Sequence, residues 1–560
     1  MLYNNWGFTK YRKRESDCER MFKKFTLDLK KEFKGYNLTG LKKDIFAGIT
    51  VTTVALPLSL AFGVSSGATA FAGLITAVIA GIVISAFAGA SFQISGPTGA
   101  MAAILTALIQ RHGLEGVWVA GLMAGVILLL AGLFKFGNAV NLIPAPVVTG
   151  FTSGIALIIA TSQLDNALGI STPARESAAL KLLYYFTASF SPNWYALLIC
   201  ALVIAVMLLW PKKLGSLVPA SFAALVIALG VSEAFHLQVD VIGTISKTLL
   251  PENRLMLADL TSADFQPLLK GAVSIALLGM IQTLLCGEVA SHMKNERFDA
   301  NRDLVSQGLG NIVIPFFGGI PANGAIARTI VSIKAGGQTR LAGVFHALGL
   351  LVLMLLCGPV MARIPLSALA GVLLVTSWRM NEWSKIKYIF SCRFKGAMAK
   401  FIITMTATLV FDLAEAILIG VAFSLVLFVA RLSSMRIDIR DVYTEEGEED
   451  TTNDGIKLAF FTGPLFFVTI GRLRNQLMES GYKGVLIASM RGVSHIDVSG
   501  IYAMTELYEF LKAENCRLML CGLQPQVESM LSRGGVLSKI GEDNIFWSAD
   551  KAISAVGKQA

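Results

Sequence analysis

The sequence predicts a polytopic α-helical membrane protein with two related halves, followed by a small α/β domain. Apolar runs near 20 residues recur between residues 45 and 432, a repeat recurs at an offset of about 221–226 residues, and short apolar strands alternate with helices after residue 456. Hydrophobic residues make up 54% of the 560 residues and charged residues 15%, whereas a soluble protein carries about 25% charged residues. Runs of this length cross the bilayer core as helices.

The N-terminal segment, residues 1–44, is basic and precedes the first span. It holds about a dozen lysines and arginines and lacks the apolar core of a signal peptide. Because basic segments flank spans on the inner side of a membrane, we expect it in the cytoplasm. The net charge of +10 then reflects membrane topology, and nucleic acid is not an expected partner.

Hydropathy predicts fourteen spans, with approximate centres at residues 55, 80, 103, 125, 155, 200, 225, 278, 310, 328, 350, 372, 405 and 424. With the N-terminus inside, the later basic clusters all fall on the cytoplasmic side, as positive-inside topology requires. These clusters lie at Lys135 and in residues 210–215, 292–302, 334–340 and 383–400. We therefore expect both termini in the cytoplasm and a place in the inner or plasma membrane.

The repeat divides the membrane part into residues 45–235 and 268–432, joined by a predicted extracytoplasmic loop, 236–267. "IFAGITVTTVALPLSLAFG" aligns with "LLKGAVSIALLGMIQTLLC", and "IPAPVVTGFTSGIALII" with "IPLSALAGVLLVTSWRM". Seven spans per unit is an odd number, so the second unit enters the membrane from the opposite side. This predicts an inverted pair of repeats. The alternative is chance similarity among helices rich in small residues.

Two apolar segments, "SGPTGAMAA" and "GGIPANGAIARTI", are broken in the same way at matched places of the repeat. A break inside the bilayer is tolerated only where it lines a protein cavity. Pro97 and Pro321 suit the first turn of a short helix, and Gly99 and Gly324 permit close approach of a ligand. Two helix N-termini facing one cavity predict a site for a small anion. The alternative is a pair of kinked helices that pack through small residues.

Several side chains near the breaks fit an anion site. Arg328 lies one turn into the second short helix, and a charge at membrane depth is costly unless it is paired or functional. Its alternative roles are snorkelling or pairing with a carboxylate such as Glu288. Thr98 and Asn323 are candidate donors, and Phe62 of the first span is a candidate cavity wall, with plain packing as its alternative.

The chain changes character after residue 432. Residues 433–455 include the charged stretch "DVYTEEGEEDTTNDG" and are predicted to be a linker. Residues 456–560 alternate short apolar strands with helical segments such as "RLRNQLMES", which predicts a cytoplasmic α/β domain. The seven cysteines are scattered without metal-ligand spacing, so we expect neither a metal site nor a cofactor.

These motifs together resemble the sulfate permease (SulP) family. The resemblance rests on "VALPLSLAFGV", "QISGPTGAMAAIL", "GLGNIVIPFFGGIPANGAIARTIVSIKAGGQTRLAG", "IPLSALAGVLL" and "HIDVSGIYAM". It implies a seven-plus-seven inverted repeat like that of uracil permease, with a core domain that moves against a gate domain, usually in a dimer. It also implies a C-terminal STAS domain. Family substrates are sulfate, bicarbonate, chloride and dicarboxylates such as fumarate or succinate.

Carried over position by position, the resemblance implies an anion pocket at Phe62, Thr98, Gly99, Ala100, Gly324, Ala325, Ile326, Ala327 and Arg328. Gln282 stands where many bacterial relatives have a carboxylate, so we expect neither protonation there nor a sodium site. Glu288 is an alternative coupling residue, unless it lies at the cytoplasmic edge beside His292.

The STAS motif is Asp497, Val498, Ser499 and Gly500. In phosphorylated soluble relatives a serine or threonine follows the aspartate, whereas this chain has a valine, which cannot accept phosphate. We therefore expect this domain to support assembly or to bind a cytoplasmic protein.

The sequence thus predicts a secondary active transporter of small anions with elevator-like alternating access. Sulfate-type anions are expected from the resemblance, with C4-dicarboxylate or bicarbonate transport as the alternative. An anion channel and a STAS-linked membrane sensor are more remote alternatives. No catalytic triad, metal cluster or nucleotide loop supports an enzyme.

Overall fold

The computed structural model describes residues 17–137, 143–173, 178–187, 190–215, 218–262, 264–411, 413–432, 436–441, 455–465 and 484–557. The chain separates into two compact units, Met1–Ala422 and Phe423–Ala560. Each unit is described by itself below.

The first half of the membrane part is helical. Its helices are α1 (Asp17–Glu32), α2 (Leu38–Ser65), α3 (Ala70–Phe87), α4 (Gly99–Leu133), α5 (Ala145–Leu168), α6 (Ala178–Thr187), α7 (Trp194–Leu209), α8 (Lys212–Gly215) and α9 (Ala220–Ala234). Gly113 has a φ of 69° and divides α4 into two helices, because glycine adopts this left-handed conformation without steric cost. Residues 103 and 125 are two predicted span centres, and they therefore lie on opposite sides of Gly113, in separate parts of α4.

The second half follows a similar plan. Its helices are α10 (Asp259–Ser262), α11 (Phe265–Lys294), α12 (Ala300–Val313), α13 (Ile326–Lys334), α14 (Leu341–Met361), α15 (Leu366–Met380), α16 (Trp383–Ser391), α17 (Lys395–Val410) and α18 (Leu413–Leu432). Among the described residues, six helices have the length and apolar composition to cross a membrane: α2, α3, α4, α5, α11 and α14. Every predicted centre lies within a helix, while the number of spans stays a prediction.

The two halves share local features at the positions that the repeat predicts. Helix α5 begins after Pro144 with φ −66° and ψ 140°, and α15 begins after Pro365 with φ −63° and ψ 138°. The broken segments contribute two short strands, β1 (Ser95–Gly96) and β2 (Asn323–Gly324). These strands pair with each other in antiparallel orientation, as an inverted relation of the halves predicts.

The helices of this unit form two groups. One contains α2, α3, α4, α11, α12 and α14, and the other contains α5, α7, α9, α15 and α17. Small residues bring backbones together within a group: a Cβ added at Gly73 of α3 would lie 2.1 Å from the Ser59 carbonyl oxygen of α2. The groups meet where α5 packs against α4 and α15 against α2. The broken segments lie close to this boundary.

Helix α1 docks on the first group through acidic residues, although the segment around it is basic. Glu32 accepts hydrogen bonds from Arg340 Nη2 at 2.7 Å and Nε at 2.9 Å, and Asp28 accepts one from Arg302 Nη1 at 2.7 Å. Both arginines also lie over the Phe25 ring. Because both arginines are buried, the two carboxylates are their main charge compensation.

The boundary predicted at residue 44 falls inside α2, which begins at Leu38. Asp44 is fully buried and accepts hydrogen bonds from the backbone N–H groups of Gln338 and Thr339 and from the hydroxyls of Tyr36 and Thr339. A buried carboxylate needs such partners. The start of α2 is therefore tied to the turn before α14.

The segment predicted as an extracytoplasmic loop covers two turns of the helical unit. The N–H groups of Ile242 and Gly243 bond to the turn before α15, and the Leu255 N–H donates to the Pro315 carbonyl at 3.1 Å. The loop is thus held to the helical unit by backbone pairing at residues 242–243 and at residue 255.

The C-terminal unit is the predicted α/β domain. It contains β3 (Arg436–Asp441), β4 (Ile456–Thr462), β5 (Val485–Gly492), α19 (Val498–Ala513), β6 (Arg517–Cys521), α20 (Pro525–Arg533), α21 (Val536–Ile540), β7 (Ile545–Phe546) and α22 (Ala549–Gly557). The sheet order is β3-β4-β5-β6-β7. Strand β3 is antiparallel to β4, and the other neighbours are parallel.

Strand β3 lies within the segment predicted as a linker, so the sheet begins earlier than residue 456. Its alternation of apolar and charged residues, "RIDIRD", suits an edge strand with one solvated face. The helix predicted from "RLRNQLMES" lies outside the described residues.

Candidate functional site

The two broken segments meet in one place. Ser95 pairs with Gly324 and Gly96 with Asn323, and we call these four residues the β1–β2 pair. The Gly324 N–H also donates to Thr283 Oγ1 of α11 at 3.1 Å. Backbone groups of the β1–β2 pair are therefore satisfied within the protein, as membrane depth requires.

The two short helices begin later than their prolines predict. Helix α4 begins at Gly99, and the Thr98 side chain caps it by accepting a backbone hydrogen bond at 3.4 Å. Helix α13 begins after Ala325. Pro97 and Pro321 thus precede the helices, and their predicted place in the first turn is wrong. Threonine takes the cap of α4, and the extended β2 strand delays α13.

The two helix starts differ in how they are capped. Thr98 uses its oxygen as an acceptor, which leaves its hydroxyl hydrogen free to donate. Ala325 gives α13 no side-chain cap, so the N–H groups of its first turn keep their capacity for a ligand. Ala327 in that turn is exposed, and Ile326 and Thr98 are half-buried. Both helix starts can therefore be reached from outside the core.

An apolar wall covers the start of α4. Gly99 and Ala100 are buried, and a Cβ added at Gly99 would lie 3.1 Å from Phe62 Cε1 and 2.3 Å from Ile159 Cδ1. Phe62 of α2 therefore lies close to the start of α4, and its role as a cavity wall stays a prediction. Ile159 of α5 was not predicted, because an isoleucine within an apolar run gives no sequence signal.

Arg328 is the most buried large side chain at the site, with 1% of its surface exposed. Its Nη2 donates to the Pro97 carbonyl at 3.1 Å, whereas Nη1 has no hydrogen-bond partner. Neither alternative role is found, because the side chain does not reach the surface and Glu288 instead bonds His292 at 3.1 Å. A buried guanidinium with a free donor is suited to bind an anion.

Asn323 adds to this unfilled hydrogen-bonding capacity. It is fully buried, and neither its side-chain oxygen nor its nitrogen has a partner. Asn323 pairs with Gly96, and directly paired residues of antiparallel strands point to the same face. A Cβ added at Gly96 would lie 2.4 Å from Arg328 Nη1. The free amide and the free guanidinium nitrogen therefore occupy one face of the β1–β2 pair.

The other predicted residues lie around this centre. Gly324 and Ala325 are buried at the start of α13. Gln282 of α11 is half-buried with an unpartnered Oε1. Glu288 is exposed, so the structure places it at the surface beside His292 and does not bring it into the site. Across the described ranges, no group of three metal-ligating side chains converges.

In the C-terminal unit, the residues of the STAS motif have structural contacts. Asp497 caps α19 by accepting a hydrogen bond from the Gly500 N–H at 2.8 Å, and a Cβ at Gly500 would lie 2.3 Å from the Leu465 carbonyl oxygen. Val498 is exposed and Ser499 half-buried. A cavity of about 430 Å³ adjoins them, lined by His495, Ile496, Asp497, Val498, Gln526, Val527, Ser529, Met530 and Arg533.

Six membrane-crossing candidates among the described helices, with two paired breaks between them, define the class of multi-pass membrane proteins. Residues 41–406 match the model of the Sulfate permease family, and residues 449–552 match that of the STAS domain. The chain therefore belongs to the sulfate permease family.

Three similar proteins are informative. YvdB of Bacillus subtilis (strain 168), named as a candidate sulfate transporter, is 37% identical over 526 residues, which is 92% of this chain and 97% of YvdB. The transmembrane domain of a cyanobacterium bicarbonate transporter, BicA, is 30% identical with a TM-score of 0.60, covering 70% of this chain and 98% of that one. The murine anion transporter Slc26a9, in an inward-facing state, is 17% identical with a TM-score of 0.81 and covers 99% and 96%.

These comparisons confirm the predicted family, the fold class with its STAS domain, and membrane anion transport as the general activity. The relatives are transporters, so the prediction that the chain is not an enzyme is also confirmed. The assignment of individual residues to an anion pocket stays a prediction.

Proposed function

We propose that the chain is a secondary active transporter of small inorganic anions of the sulfate type in the plasma membrane. The observation that carries this proposal is the free Arg328 Nη1 beside the β1–β2 pair, where the starts of α4 and α13 converge. Each helix start carries roughly half a positive charge. Together with the guanidinium, they attract and hold one anion without a further cation.

Different residues supply the hydrogen-bond donors and the apolar surface of the proposed anion site. The uncapped first turn of α13 supplies N–H donors, and Thr98 supplies a hydroxyl donor at the start of α4. Phe62 and Ile159 enclose the start of α4 with apolar surface. Exclusion of water strengthens the hydrogen bonds that the anion receives.

The two helix groups provide a basis for alternating access. The β1–β2 pair, α4 and α13 belong with the first group, whereas Ile159 of the wall belongs to the second. Movement of the first group against the second carries the bound anion past this wall. We propose this elevator-like movement as the transport step.

The full-length protein in liposomes tests the proposal. We expect saturable uptake and counterflow of labelled sulfate, and a panel of labelled bicarbonate, fumarate and succinate identifies the preferred anion. Unitary currents without counterflow would indicate a channel, and binding without flux would indicate a sensor. Either result would contradict the proposal.

Bicarbonate is the second candidate substrate. It is favoured by the 30% identity to the transmembrane domain of BicA. Preferential counterflow of bicarbonate in the same panel would replace sulfate with this substrate. Homodimer formation and a protein partner of the STAS domain stay predictions, and light scattering of the purified protein tests the former.

Gly96→Ala tests whether the position of the guanidinium matters. The new Cβ would lie 2.4 Å from Arg328 Nη1, so the side chain must move away from the β1–β2 pair. We expect uptake at subsaturating anion concentration to fall about tenfold, which corresponds to about 1.4 kcal/mol of binding free energy. Gly230→Ala in α9 is the control, because its added Cβ meets no atom within 4 Å and its backbone does not have a positive φ. Equal uptake by the two variants would contradict the proposed placement.

A further inference from the structure

Asp303 of α12 is a fully buried carboxylate that the proposed anion site does not use. Its Oδ1 accepts a hydrogen bond from the Gly89 N–H at 3.1 Å, whereas its Oδ2 has no hydrogen-bond partner. An ionised carboxylate in this position is costly unless it is paired. A proton on Oδ2 removes that cost.

The adjacent arginine does not pair with Asp303. Arg302 directs its Nε to the Ala88 carbonyl, its Nη2 to the Gly89 carbonyl and its Nη1 to Asp28. Its side-chain donors are therefore committed to the turn after α3 and to helix α1. Asp303 experiences the arginine's charge but receives no hydrogen bond from it.

The remaining surroundings of Asp303 are almost free of ionisable groups. Helix α3 and residues 116–133 of α4, which pack against α12, contain none. Helix α11 contains five ionisable residues, Lys270, Cys286, Glu288, His292 and Lys294. Helix α12 and its cap add Asp299 and Arg302, and Asp28 of α1 contacts Arg302. Of these, Glu288 and His292 are exposed and bonded to each other. The two nearby carboxylates, Asp28 and Asp299, both accept hydrogen bonds from Arg302.

A short chain of contacts joins Asp303 to the anion site. The Gln93 side chain lies beside Asp303, has an unpartnered Oε1, and donates through Nε2 to the Thr283 carbonyl at 3.5 Å. The Thr283 hydroxyl accepts from the Gly324 N–H, and a Cβ at Gly324 would lie 2.6 Å from Gln93 Nε2. A proton on Oδ2 provides a donor for the unpartnered Gln93 Oε1. We expect Gln93 to link the protonation state of Asp303 to β2.

We propose that Asp303 is a proton-binding site that couples anion uptake to the transmembrane proton gradient. This inference rests on the proposed transport function and adds its energy source. The proton binds at Oδ2, travels with the first helix group while the anion is bound, and leaves to water on the cytoplasmic side. Glu288, the alternative coupling residue, takes no part.

The test uses the full-length protein in liposomes with labelled sulfate, or with whichever anion of the panel gives wild-type counterflow. Two readouts are compared: counterflow at equal pH, and accumulation driven by an acidic exterior. One proton and one sulfate dianion together move one negative charge, so the membrane potential is clamped at zero with potassium and valinomycin. Each pH unit then supports about tenfold accumulation for one proton per anion. Trapped pyranine reports the accompanying proton influx.

Asp303→Asn keeps an acceptor for the Gly89 N–H but cannot bind the proton. We expect it to retain counterflow within about threefold of wild type, less than 1 kcal/mol, while accumulation and proton influx disappear. Asp303→Glu retains a titratable carboxyl and should preserve both. Asp299→Asn is the matched control, because asparagine caps a helix as well as aspartate does.

Several results would overturn the inference. They are pH-driven accumulation that persists in Asp303→Asn, accumulation lost in Glu288→Gln instead, wild-type accumulation driven by sodium, and wild-type counterflow with no response to pH. In the last case the proposed transport function stands. Absence of counterflow for every anion in the panel overturns that function and this inference together.

Discussion

Arg328→Ala is expected to reduce anion uptake at subsaturating concentration by about 30-fold or more. This estimate follows from a cost of about 2 kcal/mol or more when one partner of a buried, hydrogen-bonded charge pair is removed. Arg328 is 1% exposed, and its Nη1 has no protein partner to keep it structural. Labelled-anion uptake in proteoliposomes, measured across a concentration series, should show the loss mainly as a higher KM.

Two further variants separate a binding role from a structural one. Arg328→Lys keeps the charge but loses the planar fork of donors, so it should fall between wild type and alanine. Arg363→Ala is the matched control, because Arg363 is mostly exposed and contacts Glu233 at 3.5 Å. The oligomeric state should be unchanged in Arg328→Ala. Full uptake in that variant would show that the arginine does not bind the anion.

Glu32→Ala is expected to destabilise the membrane unit by about 3–5 kcal/mol, because it leaves a buried charge without its partner. The Arg340 side chain is 5% exposed and the Glu32 side chain 10%. Once Glu32 is removed, the guanidinium keeps its hydrogen bond to the Ala86 carbonyl at 2.7 Å, which carries no compensating charge. Thermal unfolding of the full-length protein in detergent measures the change.

The control for this variant is Glu415→Ala. Its partner Lys270 has a side chain that is 64% exposed, and such surface pairs contribute about 0–1 kcal/mol. The double variant Glu32→Ala with Arg340→Met should recover part of the lost stability, because it removes the unpaired charge as well. A loss no larger than that of Glu415→Ala would show that α1 is not held by this ion pair.

The sequence predicts those parts of the site whose residue types are unusual in a membrane-spanning helix. Arg328 is a charge at membrane depth, and the two breaks place proline and glycine where a spanning helix disfavours them. Such signals are visible in single residues. The residues that face each other across the β1–β2 pair follow from the inverted repeat, but their register required the structure.

Other features gave no usable signal. Ile159 is one apolar residue within an apolar run, so its place against Gly99 is set by tertiary packing alone. Asp303 follows a cluster of basic residues and reads as part of a solvated loop, although α12 buries it completely. Pro97 and Pro321 were placed within the helices because proline suits a first turn, whereas β2 and the Thr98 cap shift both helix starts.

The acidic face through which α1 docks cannot be predicted from the composition of the N-terminal segment. The segment is counted as basic because about a dozen lysines and arginines surround Asp28 and Glu32. Only the structure shows that these two carboxylates meet buried arginines, one in α12 and one at the cap of α14. The net charge of the segment therefore gives no indication of the two acidic residues on the packed face of the helix.

The unequal capping of the two helix starts has a consequence for selectivity. A pocket on a pseudo-dyad would present a solute with matching surroundings on both sides. Here one side offers a hydroxyl already engaged by its own helix, and the other offers bare amides backed by a guanidinium. A solute with negative charge concentrated at one end should therefore settle in a single orientation, whereas a tetrahedral dianion can satisfy both sides at once.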